Sequence, residues 1–224
     1  MGAVPKRWEF RLEIYKILNE MIKDPRNHVV IISGRDRQIL DTWFGTLNIG
    51  LISEHGIWIK EAGKEWEMNL SVSRDWKTEI KPILEVYADR TPGSFVEEKE
   101  YSLAWHYRNS DPDLAGIRVI EMREDLIFRT KNLNLNLLKG HKVFEIKNAE
   151  INKGIAVQRW IKNGAFDFIF AAGDDSTDED IFSVLTTNAY TIKVGPNPSL
   201  AQYSVRSVDQ IRGLLERCFC GSIN

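Results

Sequence analysis

The sequence predicts an α/β protein: a parallel sheet covered by helices, its chain order interrupted by an inserted α+β unit. Three observations carry this. Short apolar runs such as Val29-Val30-Ile31-Ile32 and Tyr190 to Val194 alternate with amphipathic stretches, the pattern of βαβ units with buried parallel strands. The run Phe166 to Ala172 breaks at Gly173 into five acidic residues within the seven positions Asp174–Asp180, so a buried strand there ends in a sharp turn and a helix start. From about Asp75 to Asn148 the texture changes to a mixture of aromatic and charged residues. The expected organisation is a core formed by residues 1–74 and 149–224 and an α+β insert over 75–148.

With 224 residues the chain is long enough for a sizeable core in one large or two small domains. A formal net charge of −2 leaves no polybasic footprint, which argues against nucleic acid or a membrane surface and for small-molecule or protein partners. No signal peptide and no bilayer-length apolar run is present, and the only cysteines are Cys218 and Cys220. A cytoplasmic location follows as the expectation, and the Cys-x-Cys pair lacks the spacing and the histidine of a metal site.

Taken in order, Trp8, Leu12, Tyr15, Leu18 and Ile22 recur at helical spacing until Asp24-Pro25, so an amphipathic helix comes first. The buried strand Val29 to Ile32 ends in Ser33-Gly34-Arg35-Asp36. A hydroxyl, a glycine and a guanidinium directly after a buried strand make an anion cradle, with Asp36 able to cap the helix carrying Ile39, Leu40, Trp43 and Phe44. Plain turn chemistry uses the same residues. Gly45 stops that helix, Ile49 to Ser53 forms a strand, and Glu54-His55-Gly56 turns it into Ile57 to Lys60. His55 is a substrate contact or a turn residue.

In the insert, a helix over Trp76 to Ala88 and the turn cluster Thr91-Pro92-Gly93-Ser94 lead into Phe95 to Arg108, whose alternation suits a sheet with one wet face. A helix from Leu114 to Phe128 and strands around Asn134 to Leu138 and Lys142 to Ile146 complete it. Lys153-Gly154 then opens a helix that Asn163-Gly164 ends. A lysine at a helix N-terminus opposes the dipole, so a neighbouring anion would account for it, a plain surface lysine being the alternative. Val208 to Cys218 reads as a closing helix. In the acidic stretch, Ser176 and Glu179 have capping-box spacing. The helix dipole explains one or two of these acids, and a cation or cationic substrate between them explains the rest.

The stretches VVIISGRD (Val29–Asp36), SEHGIW (Ser53–Trp58), VEEKEYSLAWHYR (Val96–Arg108), INKGIA (Ile151–Ala156) and GDDSTDEDIF (Gly173–Phe182) resemble, in order and over nearly the whole chain, trehalose-6-phosphate phosphatases of the haloacid dehalogenase superfamily. The resemblance implies a Rossmann-like core and a cap closing over a sugar phosphate, with trehalose 6-phosphate hydrolysed to trehalose and phosphate through an aspartyl-phosphate. By the same resemblance, Ser33 binds the transferring phosphoryl oxygens and Lys153 neutralises their charge. Asp174 holds Mg2+, with Asp175 and Asp178 as neighbouring ligands or as acceptors for the groups around it, carboxylates being suited to a hard cation. Glu97, Lys99 and Glu145 read sugar hydroxyls, with Arg35 and His55 on the substrate side. A fused or associated trehalose-6-phosphate synthase domain is the implied partner.

One departure stands out. The family opens with a central strand carrying Asp-x-Asp-Gly-Thr, the source of nucleophile and general acid, and no stretch here supplies it: Asp111-Pro112-Asp113 and Asp178-Glu179-Asp180 have only the spacing. The expectation is a chain that releases no phosphate as it stands, a sugar-phosphate-binding or scaffold module being the alternative reading. A sheet without that strand would carry a slot between apolar neighbours, an aggregation hazard.

Overall fold

The computed structural model describes residues 7–162 and 164–220, and side chains between Glu13 and Phe219 apart from Asn163. The elements in chain order are α1 (Arg7–Met21), β1 (Val30–Ile32), α2 (Arg37–Phe44), β2 (Gly50–Ser53), β3 (Trp58–Lys60), β4 (Glu67–Met68), α3 (Trp76–Asp89), β5 (Phe95–Glu98), β6 (Ser102–His106), α4 (Pro112–Thr130), β7 (Leu135–Gly140), β8 (Val143–Asn148), α5 (Lys153–Lys162), β9 (Ile169–Gly173), α6 (Glu179–Val184), β10 (Ala189–Val194), β11 (Tyr203–Val205) and α7 (Val208–Leu215). The fold is the expected α/β class with an α+β insertion. The chain divides into two compact units, one made of residues up to Asn69 together with those from Lys153, the other of Leu70–Asn152. The side chains of Trp8 and Leu12 in the first helical pattern, Asn163, and the Cys220 side chain lie outside what is described.

In the first unit β1 runs parallel to β2, Val30 opposite Gly50, and β9, β10 and β11 form a second parallel ladder. β3 and β4 extend the first ladder antiparallel. Among the described residues the two ladders are separate sheets, ordered β1-β2-β3-β4 and β11-β10-β9, so β1 and β9 are both edges. An apolar cavity of about 360 Å³ is lined by both, through Val30 and Ile32 on one side and Ile169 and Ala171 on the other. The core here forms two clusters, with Ile32 of β1 packing against the second. Leu40, Ile49 and Leu51 pack behind the first ladder, and Val157, Ile181, Phe182, Leu185 and Ala189 behind the second.

The second unit has one continuous core. Trp76, Ile80 and Leu84 of α3 and Ala115, Val119, Met122 and Leu126 of α4 recur three or four residues apart and meet Leu103, Trp105, Phe144 and Ile146 of the sheet β5-β6-β8-β7. Each fully buried large side chain there contributes about 1.5–3 kcal/mol. Phe95 to Arg108, one alternating stretch in the sequence, is a hairpin broken over 99–101. The reason is Lys77 of α3, a buried lysine whose Nζ donates to the carbonyls of Lys99 and Glu100 and pins the turn. Two short strands, β4 and β11, have no buried apolar run to announce them and are mostly exposed.

Candidate phosphate site and sugar-facing sheet

The site of the first unit is built from the carboxyl ends of β1, β2 and β9 and from the start of α5. The Ser33-Gly34-Arg35 turn after β1 is zipped to the turn after β2: Glu54 N–H donates to the Arg35 carbonyl and His55 N–H to the Ser33 carbonyl, both at 3.0 Å. Asp36 caps α2 by accepting from the Ile39 N–H at 2.8 Å. Glu54, His55 and Gly56 are three successive residues at positive φ, 47°, 58° and 116°. Two non-glycine residues in that region cost about 1–3 kcal/mol each and persist where the surroundings over-determine them. The His55 ring lies against Gly34 so closely that no Cβ fits there. His55 is thus a buried turn residue packed on the cradle. The Ser33 hydroxyl accepts from the Arg35 N–H at 3.2 Å, and the Arg35 guanidinium lies over the Trp43 ring at 4.6 Å.

The helix α5 packs against both the Glu54–Gly56 turn and the Ser176–Asp178 turn. Its first residue, Lys153, is 4% exposed and donates to Asp178 Oδ1 at 2.8 Å. The anion that the position of this lysine called for is therefore a carboxylate of the chain itself. Asp178 Oδ2 accepts from the Asp175 N–H at 2.9 Å, and the same carboxylate sits on Gly173, where a Cβ would collide with it.

The capping box differs from the expected one by one residue: Asp175 and Asp178 cap each other's backbone, not Ser176 and Glu179. Glu179 reaches away instead, accepting from the Leu200 N–H at 2.7 Å and the Ser199 hydroxyl at 2.9 Å. Asp174 and Asp175 are exposed, while Asp178 is buried. Among the described residues no three such side chains are grouped to hold a metal ion. Mg2+ needs only one or two carboxylates beside waters and phosphate, and Asp174 follows directly on β9.

Lys193 was missed by the sequence reading. It is 2% exposed, and its Nζ donates to the carbonyls of Asp174 and Asp175 at 3.0 and 3.2 Å and pairs with Glu179 at 3.2 Å. A lysine inside the apolar strand Thr191-Ile192-Lys193-Val194 is the signal that could have found it, since a charge is buried only with partners.

In the second unit the register sets Glu97 opposite Ala104 and Ala104 opposite Glu145, so both carboxylates stand on one face of the sheet, away from Leu103 and Trp105. Lys99 Nζ lies 3.2 Å from Glu145 Oε1, which also accepts from the Ser102 hydroxyl at 2.7 Å. Glu97 pairs with His106. The structure thus gathers Ser33, Arg35, His55, Lys153, Asp174, Asp175 and Asp178 in one unit and Glu97, Lys99 and Glu145 in the other.

A family model described as trehalose-phosphatase matches residues 4–210. The chain belongs to the trehalose-phosphatase family. It is 40% identical over 205 residues to the bifunctional trehalose-6-phosphate synthase/phosphatase of Thermoproteus tenax, covering 92% of this chain and 28% of that protein. To the trehalose-phosphatase of Saccharomyces cerevisiae it is 34% identical over 197 residues, 78% of this chain and 22% of that one. The chain therefore spans about a quarter of the length of these family members. Among solved structures, the C-terminal domain of Candida albicans trehalose-6-phosphate phosphatase superposes with a TM-score of 0.85 at 31% identity, covering 96% of this chain and 84% of that domain. A haloacid dehalogenase-like hydrolase from Bacteroides thetaiotaomicron, 14% identical with a TM-score of 0.66, shares the fold. No helix among the described residues is long and apolar enough to cross a membrane.

Proposed function

We propose that this chain is the phosphatase domain of a trehalose-forming system, a phosphomonoesterase domain for trehalose 6-phosphate. The observation that carries this is the buried Lys153–Asp178 pair at the start of α5, a helix that packs against the Glu54–Gly56 turn after β2 and the acidic turn after β9. In this reading Ser33 donates to a phosphoryl oxygen, Lys153 neutralises phosphate charge, and Asp178 holds Lys153 in place. Asp174, with Asp175 beside it, holds Mg2+, which supplies charge stabilisation to the transferring group. Arg35 and His55 line the substrate side, His55 by shaping the cradle.

The Leu70–Asn152 unit is the cap, and Glu97, Lys99 and Glu145 read the sugar hydroxyls. A trehalose-6-phosphate synthase domain, fused as in the Thermoproteus tenax relative's name or associated, is the proposed partner, in the cytoplasm.

Two features favour a chain that binds without turning over as given: the sequence holds no Asp-x-Asp-Gly-Thr, and among the described residues β1 and β9 are separate edges. Calorimetry and phosphate release with trehalose 6-phosphate and Mg2+ test this, on the chain as given and on one extended upstream through an Asp-bearing strand. Binding by both and phosphate release by the extended chain alone is the expected result. Phosphate release by the unextended chain that Asp174→Asn abolishes overturns the inactive reading. Failure of the extended chain to bind trehalose 6-phosphate overturns the substrate, and failure of the unextended chain alone overturns its reading as a binding module.

A further inference from the structure

Glu97 stands on β5, an edge strand of its sheet, with 44% of its side chain exposed. A glutamate in that setting keeps its rotamer freedom, worth about 1–2 kcal/mol, unless something fixes it. His106 does so. It is directly opposite Phe95 in the β5–β6 register and on the same face as Glu97. Its Nε2 lies 2.7 Å from Glu97 Oε2. The Phe95 ring stacks on the imidazole with centroids 4.8 Å apart and planes 16° from parallel, and Val143 of β8 faces it across the other side.

The imidazole is thus held by an aromatic stack and by the sheet. It ties up Oε2 of Glu97, a carboxylate whose side chain is 44% exposed. Glu145, two strands away on the same face, is fixed in the same manner by Ser102 and Lys99.

We propose that His106, clamped by Phe95, is a positioning residue for sugar recognition, holding the Glu97 carboxylate in the one orientation that accepts from a sugar hydroxyl. This rests on the trehalose 6-phosphate reading above. It makes a separate claim about residues that stand outside the phosphate site and bear on affinity for the sugar half alone.

Calorimetry on the full chain with Mg2+, using trehalose 6-phosphate and inorganic phosphate as separate probes, tests it. His106→Ala weakens trehalose 6-phosphate binding about tenfold, the loss of one hydrogen bond to a charged group, and leaves phosphate binding unchanged. His106→Gln, which can still donate to Glu97, stays within about twofold of the parent. Phe95→Ala keeps the imidazole but frees the ring and falls between the two; it carries the test if His106→Ala does not fold. The proposal is overturned if His106→Ala binds the sugar phosphate like the parent, if it loses both probes equally, or if His106→Gln behaves like His106→Ala. A parent chain that binds phosphate but not trehalose 6-phosphate overturns the substrate reading instead.

Discussion

Lys153 and Asp178 form a buried ion pair, Nζ to Oδ1 2.8 Å, with 6% and 10% of their side chains exposed. Removing one partner leaves the other charge buried, whereas removing both does not. Lys153→Met is therefore expected to lower the unfolding free energy by about 3–5 kcal/mol, and Lys153→Met/Asp178→Leu by clearly less. Urea denaturation followed by tryptophan fluorescence measures both. A loss in the double variant equal to the sum of those from Lys153→Met and Asp178→Leu alone would show that the pair is not coupled.

Gly34 and His55 make a second coupled pair. Gly34→Ala drives a methyl group into the His55 ring and should cost about 1–3 kcal/mol. In the Gly34→Ala/His55→Ala background the added cost of the methyl disappears, which a double-mutant cycle on unfolding midpoints reads directly.

Glu179 is one of the carboxyls, with Asp24, Asp41 and Glu98, held below their ordinary values in the fold. Partial burial alone would raise its carboxyl, but the Leu200 N–H, the Ser199 hydroxyl and Lys193 outweigh burial and hold it below its ordinary 4.5. A carboxyl with a depressed folded-state pKa contributes stability above its unfolded value and loses it as pH falls through the folded one. Glu179→Gln should thus cost about 1–3 kcal/mol near neutral pH. Between about pH 5 and pH 2 its stability should fall less steeply than the parent's. Urea titrations across that range check the slope; parallel curves would assign the acid limb to other carboxyls.

Trp105 is fully buried in the second unit and donates its indole N–H to Ser94 Oγ at 3.0 Å. Trp105→Ala should cost about 3–5 kcal/mol. Limited proteolysis should then cut first within residues 70–152, since that unit has a core of its own.

Much of this was legible in the sequence because period and punctuation carry it. Val29 to Ile32, Phe166 to Ala172 and Tyr190 to Val194 are apolar runs ended by turn residues, and each contains a strand of the parallel ladders. Asp36 as a cap and Lys153 beside an anion follow from helix-end chemistry. What was not legible depends on side chains reaching across the fold. Lys77 breaks the Phe95–Arg108 stretch from another element, and Lys193 braces the acidic turn from the next strand. Asp175 took the cap expected of Ser176 because Asp178 could answer it while Glu179 was drawn off by Leu200 and Ser199. Local spacing does not record such competition.

The division of the first unit into two ladders also bears on how the chain acquires its structure. One ladder draws on residues 30–68 and the other on 169–205, while the intervening unit closes around its own core. Three apolar nuclei can therefore collapse from nearby stretches of chain, which is fast. During synthesis the first ladder leaves the ribosome well before the second, with a complete α+β unit made in between. Bringing the two edges into one body is then the late, long-range event, and the step at which a chaperone would find apolar surface still uncovered.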